Sequence, residues 1–194
     1  MEVNNQLHDY IKIFDNFIPE YSLDVLLKVC KDHDQFDEGK IVNNGPEGSV
    51  VKESRNVKVW EMENLKTQNL TQAYWTCFLV DTFKQALKKY DQSFKLNSTY
   101  DIIDVQILKY DVGGHYEFHV DNGVHTPRTL SCIFFINDDY DGGNLMFKFP
   151  NQKQVINIEK IKNRMIVWPS NFMYPHSVSP VTKGERYSVV AWSR

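Results

Sequence analysis

An α+β fold, mainly β, is what this 194-residue sequence predicts, on three observations. Apolar residues recur at helical spacing only in the first half of the chain. The second half is a series of short apolar segments bounded by Gly, Pro, Asn or Asp, and no repeat, low-complexity tract or Pro/Ser-rich linker separates the halves. With 42% hydrophobic and 13% aromatic residues the chain can bury a sizeable core, which excludes a disordered tail, a collagen-like rod and a disulfide miniprotein. A single domain over residues 1–194 is expected, with residues 1–95 as helical support and residues 96–194 as the strand-rich core.

Pro19 and Glu20 open the first helix, in which Leu23, Val25, Leu26, Val29 and Cys30 recur at helical spacing. A second helix is expected over residues 65–90, with Tyr74, Phe78, Phe83 and Leu87 as its buried stripe. Between them VNNGPEGSV (residues 42–50) has turn residues and no apolar period, so residues 42–54 read as a surface loop able to serve as a lid, followed by a short strand, NVKVW (residues 56–60). Strands follow at residues 100–110, 129–137, 144–149, 154–158, 164–168 and 186–192, a pattern that suits a sandwich, barrel or jelly roll. Asp141, Gly142 and Gly143 supply turn chemistry for an ordinary hairpin. In the last strand, Arg186, Ser188, Val190 and Trp192 share one face and Tyr187, Val189 and Ala191 the other.

Charge and cysteine usage exclude several functions. The 22 Lys and Arg stand against 25 Asp and Glu, a formal charge of -3, so no basic field attracts a phosphate backbone or an anionic lipid surface, and nucleic acid is not an expected partner. Cys30, Cys77 and Cys132 are odd in number and form no CxxC pair, which fits reduced thiols. The first ten residues lack the basic start and apolar stretch of a signal peptide, and the apolar run at residues 130–136 is far shorter than the ~20 residues that span a bilayer. A soluble cytoplasmic protein with no membrane partner is the expectation.

No phosphate-binding glycine loop or GxSxG elbow is present, so chemistry is sought among the six histidines. His8, His33 and His125 lie in polar or turn segments and read as solvated. His119 and Asp121 form an HxD pair, which at a strand end can aim an imidazole nitrogen and a carboxylate oxygen at one metal, although chance alone often supplies such a pair. His176 follows the apolar strand RMIVWP (residues 164–169), where a distal third ligand would sit; a surface histidine beside Pro175 is the alternative. On a barrel interior Arg186 needs an anion, for which a ligand carboxylate is the natural partner, whereas Lys183, before Gly184, reads as solvent-facing. A rival set, His115, Glu117, His119 and Asp121, would share one face of an uninterrupted strand.

Taken in order, KYDVGGHYEFHVDN (109–122), RTLSCIFFIN (128–137), DGGNLMF (141–147), RMIVWPSNFMYPHSVSPV (164–181) and GERYSVVAW (184–192) resemble the iron(II)/2-oxoglutarate dioxygenases of the prolyl 4-hydroxylase type. Upstream, FDEGKIV (36–42) and ESRNVKVW (53–60) are similar to the animal oxygen-sensing prolyl hydroxylases, so the resemblance runs over about residues 36–192; FDNFIPEYSLDVLL (14–27) is similar to the start of many relatives. The resemblance implies a double-stranded β-helix, or jelly-roll, barrel with supporting N-terminal helices. It implies Fe(II) and 2-oxoglutarate as cofactors, ascorbate as reductant, dioxygen as co-substrate and a proline-containing protein or peptide as substrate, hydroxylated at the prolyl 4 position. By position, His119, Asp121 and His176 become the catalytic iron ligands, Arg186 binds the remote carboxylate of 2-oxoglutarate, Tyr110 hydrogen-bonds the cosubstrate, and Arg128 and Trp192 touch the peptide. The Asn122-Gly123 turn after HVD favours that pair over the set containing His115.

Two imidazoles and one carboxylate leave coordination positions open for a 2-oxo acid and dioxygen, which suits iron(II); zinc accepts the same ligands, and a dicarboxylate at Arg186 tips the choice to iron. Phe135 departs from the oxygen-sensing enzymes, which have there a tyrosine that supports the remote carboxylate; Thr129 and Ser131 are the nearby hydroxyls. The other readings are a zinc hydrolase with Glu117 as base, a non-catalytic jelly-roll binding module, which has no use for Arg186, and a hydroxylase of another residue or a free amino acid.

Overall fold

Strand alternation divides the apolar residues between two cores, one on each face of a seven-stranded sheet. In the computed structural model, residues 6–41, 48–63, 69–96, 98, 100–150 and 153–194 are described. In chain order the elements are β1 (Lys12–Phe14), helix α1 (Glu20–Asp32), β2 (Asp37–Glu38), β3 (Arg55–Asn56), β4 (Lys58–Glu61), helix α2 (Leu70–Phe94), β5 (Ile102–Tyr110), β6 (His115–His119) and β7 (Leu130–Phe135). There follow β8 (Asp141–Gly142), β9 (Leu145–Phe147), β10 (Ile156–Ile158), β11 (Arg164–Pro169), β12 (His176–Val178), β13 (Val181–Lys183) and β14 (Arg186–Ser193). The larger sheet has the order β1-β11-β7-β14-β5-β4-β2 and the smaller β10-β9-β12-β6-β3; β13 and β8 form a separate pair. The named pairings within these sheets are antiparallel. The two sheets face each other as a double-stranded β-helix barrel.

The outer face of the larger sheet, with Val105, Ile107, Cys132, Phe134, Met165, Val167, Tyr187, Val189 and Ala191, packs under the helices. Its inner face sends Leu108, Tyr110, Ile133, Phe135, Ile166, Trp168, Val190 and Trp192 into the barrel. Burial on both faces explains why β7 and β14 are buried at every position and read as near-continuous apolar runs. The expected division of the last strand therefore holds, with Tyr187, Val189 and Ala191 under the helices and Val190 and Trp192 inside the barrel.

α1 buries Leu23, Leu26 and Cys30. α2 starts at Asn69, whose side chain accepts from the Gln72 amide, and ends where Lys95 turns left-handed at φ 54°. Its buried apolar stripe is Trp75, Leu79, Phe83, Ala86, Leu87 and Tyr90, so Phe83 and Leu87 are buried as expected, and Trp75 and Leu79 take the places expected of Tyr74 and Phe78. Tyr74 is 62% exposed and Phe78 only half-buried. Two i,i+4 apolar series overlap in this helix, and the one that continues unbroken through 75, 79, 83 and 87 wins because it keeps one face over four turns. Residues 64–68, where the helix was expected to begin, and residues 42–47 of the expected lid lie outside the described residues. Ile41 and Ser49 bracket the latter through mutual backbone hydrogen bonds.

The Asp141-Gly142-Gly143 segment is not a hairpin turn. The strands on either side of it, β7 and β9, belong to different sheets, and Asp141 and Gly142 pair with β13. Gly142 is left-handed at φ 70°, and a Cβ there would lie 2.2 Å from the Pro180 carbonyl oxygen, so no other residue fits this crossing. Among the described residues no helix is long and apolar enough to cross a membrane, and all three cysteines are free.

Phe83 is fully buried between α2 and the sheet. Phe83→Ala is expected to lower unfolding free energy by ~3–5 kcal/mol, whereas Tyr74→Ala should change it by no more than ~0.5 kcal/mol. Urea denaturation checks both, and equal losses would return Tyr74 to the core.

Candidate metal and anion site

β6 and β12 pair so that His176 stands directly opposite His119. Each imidazole is fixed by its own strand: His119 Nδ1 is 2.8 Å from the Glu117 carbonyl oxygen and His176 Nδ1 is 3.1 Å from that of Tyr174. A carbonyl only accepts, so each Nδ1 carries a proton and each Nε2 is the ring nitrogen turned to Asp121 and left for a metal. Both Nε2 atoms point at Asp121, His119 at 3.6 Å from Oδ1 and His176 at 3.4 Å from Oδ2. One ligand atom from each of the three residues lies within 4.8 Å of the others, a set able to hold a metal ion.

Asp121 is buried in the loop after β6 and tied to the opposite sheet. Ser131 of β7 donates to its Oδ2 at 2.6 Å, which spends the Ser131 proton, so the Ser170 hydroxyl, 2.7 Å away, donates in turn to Ser131. Burial alone would raise the Asp121 carboxyl, but His176, His119 and Ser131 outweigh it and hold the group well below the usual carboxylate range. Burial pushes His176 down to about 4, against the pull of Asp121, which keeps its imidazole neutral at neutral pH. A divalent cation at this cluster takes the place of imidazole protons beside the ionised Asp121 carboxylate.

The alternative set containing His115 and Glu117 is not assembled, because β6 is not uninterrupted. Its register against β12 shifts between His176↔His119 and Val178↔Tyr116, and this irregularity turns both Tyr116 and His119 toward the cavity, their rings stacked at 3.6 Å. His115 instead bonds the carbonyls of Gly113 and Glu53, each at 3.0 Å, and Glu117 is exposed. His8 and His125 are exposed as expected; His33 is half-buried and stacks on Trp60 at 3.7 Å.

The three residues open on a cavity of about 610 Å³, whose lining includes Tyr110, Tyr116, Arg128, Trp168 and Trp192. Cross-strand register orders its depth. Trp168, Ser131 and Trp192 lie in one row across β11, β7 and β14, Ile166, Ile133 and Val190 in the next, and Arg186 opposite Tyr110 lies deeper still. Arg186 is fully buried beyond the cavity lining, its guanidinium carbon 4.8 Å from the centre of the Tyr110 ring and 5.4 Å from that of Phe135. Nη1 donates to Ser188 Oγ at 2.9 Å, while among the described residues Nε and Nη2 meet no partner in hydrogen-bond geometry. The Tyr140 hydroxyl is likewise buried, beside the guanidinium; burial raises its pKa, and the charge and hydrogen bonding of Arg186 oppose that. Gly143 makes this packing possible, since a Cβ there would sit 3.0 Å from both Arg186 Cδ and the Tyr140 ring. Lys183 is exposed.

Arg128 and Trp192 are brought together at the cavity mouth, with the guanidinium carbon 3.5 Å over the indole. Neither hydroxyl weighed for Phe135 faces Arg186: Ser131 is engaged with Asp121 and Thr129 is exposed. The hydroxyls beside Arg186 are those of Ser188 and Tyr140. Ser188 was legible as the inward neighbour of Arg186 in alternation, and Ser131 by the same rule in β7. Tyr140, in an irregular stretch, carries no such signal. Trp168, also missed, lines the cavity with a buried indole N–H that has no partner among the described residues.

Residues 105–194 match the model of the 2OG-Fe(II) oxygenase superfamily. A PKHD-type hydroxylase of Gloeothece citriformis is 27% identical over 164 residues, which is 81% of this chain and 66% of that protein. The chain covers only 40% of the PKHD-type hydroxylases of Pseudomonas that it also resembles. Among solved structures, a Pseudomonas putida prolyl-4-hydroxylase superposes with a TM-score of 0.72 at 20% identity over 95% of this chain and 92% of that one. A Trichoplax adhaerens prolyl hydroxylase, solved with a hypoxia inducible factor peptide fragment, superposes with a TM-score of 0.75 at 21% identity over 95% and 83%. The converging His119, Asp121 and His176 and the buried Arg186 all lie inside the segment that matches the 2OG-Fe(II) oxygenase superfamily, on a fold shared with a Pseudomonas putida prolyl-4-hydroxylase.

Proposed function

We propose that this chain is an Fe(II)- and 2-oxoglutarate-dependent dioxygenase that hydroxylates proline in a peptide, at the prolyl 4 position. The observation that carries the reading is Arg186, sealed beneath the triad with two guanidinium nitrogens that meet no partner among the described residues. A buried cation with unmet donors is costly unless a ligand anion completes it, and the remote carboxylate of 2-oxoglutarate has the required charge and planar geometry. The match of residues 105–194 to the 2OG-Fe(II) oxygenase superfamily points to the two cofactors, and the donor set fits them: His119, Asp121 and His176 offer three ligands and leave positions free. A zinc hydrolase needs a base at the metal, and Glu117 is exposed and outside the cavity lining. A binding module has no need of the unsatisfied arginine.

Iron and 2-oxoglutarate, when bound, supply the oxidising power that inserts one atom of dioxygen into a substrate C–H bond, with ascorbate keeping the iron reduced. The protein positions and shields that chemistry. Arg186 and Ser188 form the anchor for the remote carboxylate, and Tyr140 adds a phenol on the side where Phe135 offers none. Burial raises the Tyr110 pKa against the pull of Arg186, so its phenol stays protonated and able to donate to the cosubstrate. Ile133, Leu145, Val178 and Val190 line the cavity with apolar surface that excludes water. At the mouth, the Trp192 indole offers a flat wall to a pyrrolidine ring and Arg128 offers donors to peptide carbonyls.

The direct test is succinate formation from 2-oxoglutarate with Fe(II), ascorbate and a proline-containing peptide, together with one added oxygen on the peptide by mass. No succinate under any metal would overturn the reading, and hydroxylation only of a free amino acid would narrow it.

Two variants probe the ligand sets separately. Ser131→Ala should weaken Mn(II) binding by ~10–100-fold, because the second carboxylate oxygen loses its donor, while His176→Ala should abolish it, both with the fold retained by circular dichroism. Unchanged Mn(II) titrations in both would remove the triad from the metal.

Arg186→Ala should raise the 2-oxoglutarate concentration required by roughly tenfold to over a hundredfold, the loss of a charge-assisted bond of ~1.5–3 kcal/mol. Arg186→Lys should keep part of that affinity without the planar fork. A 2-oxoglutarate requirement equal to wild type in Arg186→Ala would place the cosubstrate elsewhere.

A further inference from the structure

The mouth of the cavity contains a backbone irregularity. Asp104, within β5, is left-handed at φ 54°, a conformation that strands do not use and that an aspartate tolerates better than most residues. Opposite it the register of β14 slips, from Val190↔Gln106 to Trp192↔Ile103, so the irregularity is a bulge. It reverses the alternation of β5: Val105 and Ile107 face the helices, whereas Ile103 packs with the barrel core on the same side as Leu108 and Tyr110. Backbone strain of this kind persists where the surroundings over-determine it, and it concentrates at functional sites.

The bulge delivers the Asp104 carboxylate to Arg128. Asp104 Oδ2 lies 3.3 Å from Nη2, and the guanidinium carbon lies 3.5 Å over the ring of Trp192, the residue at the register slip. Nη1 of the same guanidinium is 3.9 Å from Oδ1 of Asp121, the oxygen that faces His119. One cation is thus shared between two carboxylates of opposite use. Asp104 is half-exposed at the rim, whereas Asp121 is buried at the centre of the ligand set. A guanidinium that closed the remaining gap would occupy the lone pairs Asp121 offers to a metal, and the buried, less screened location would strengthen that competition.

We propose that Asp104 is a positioning residue: its carboxylate, presented by the bulge, holds Arg128 over Trp192 and away from the metal-site carboxylate of Asp121. This rests on the metal reading of His119, Asp121 and His176 and adds to it a reason for the strained residue in β5.

The test is Mn(II) titration by calorimetry on the full chain without 2-oxoglutarate or peptide, for wild type, Asp104→Asn, Arg128→Ala and the double variant. Asparagine keeps the left-handed backbone accessible, so Asp104→Asn removes charge and leaves the bulge. It should weaken Mn(II) binding by about tenfold or more, Arg128→Ala should not weaken it, and the double variant should return to within about twofold of Arg128→Ala. Asp104→Gly, which removes the charge and also the strain, should match Asp104→Asn; this separates lost charge from misfolding. Wild-type affinity in Asp104→Asn, or a double variant as weak as Asp104→Asn, would overturn the proposal while the metal site stands. A wild-type chain that bound no Mn(II) would overturn the metal reading and the proposal together.

Discussion

A guanidinium sealed near the closed end of an apolar barrel is the constraint on which the rest of this structure depends. Arg186 is fully buried, donating to Ser188 and lying against two aromatic faces, Tyr110 and Phe135. Burying a charge so incompletely satisfied opposes folding unless something else brings its complement, so the barrel around it must be held rigidly by other means. Those means are visible on the other side of the sheet, where the helices cover Tyr187, Val189 and Ala191 of the same strand. The face that carries the arginine is fixed by the face that does not.

The site itself is a joint between two sheets. Both histidines lie on the smaller sheet, in directly opposed positions of β6 and β12. Asp121 follows β6 but is held by Ser131 of β7 in the larger sheet, with Ser170 behind it. The Ser131–Asp121 bond ties the two sheets together beside the two imidazoles. Trp168, Ser131 and Trp192 share one cross-strand row, so the support of the carboxylate and the aromatic walls of the cavity are fixed by a single register.

Irregular pairing, as much as regular pairing, sets the chemistry. The register slip between β6 and β12 turns Tyr116 and His119 to the same side and carries His115 out of the ligand set. The slip between β5 and β14 places Asp104 at the rim beside Arg128. A left-handed glycine, Gly143, leaves the space into which Arg186 and Tyr140 pack. Each is a local departure from ideal strand geometry, and each lies beside a functional side chain.

The sequence by itself determined whatever depends on neighbours along the chain. The helix from Glu20, the strand runs ending at Tyr110 and Trp168, and the division of the last strand into an Arg186 face and a Tyr187 face all follow from periods of 3.6 and 2 with turn residues between them. The residue types of His119, Asp121 and His176, and their order against Arg186, were also legible, with the family resemblance selecting HVD over the set containing His115. Only the tertiary structure decided that Ser131 serves Asp121, that Tyr140 rather than Thr129 stands by Arg186, that α2 buries Trp75 instead of Tyr74, and that Asp141-Gly142-Gly143 crosses between sheets. The physical reason is common to these. A period states which residues share a face, but which face meets which partner is set by register, bulges and sheet packing, and those are fixed by contacts between segments far apart in the chain.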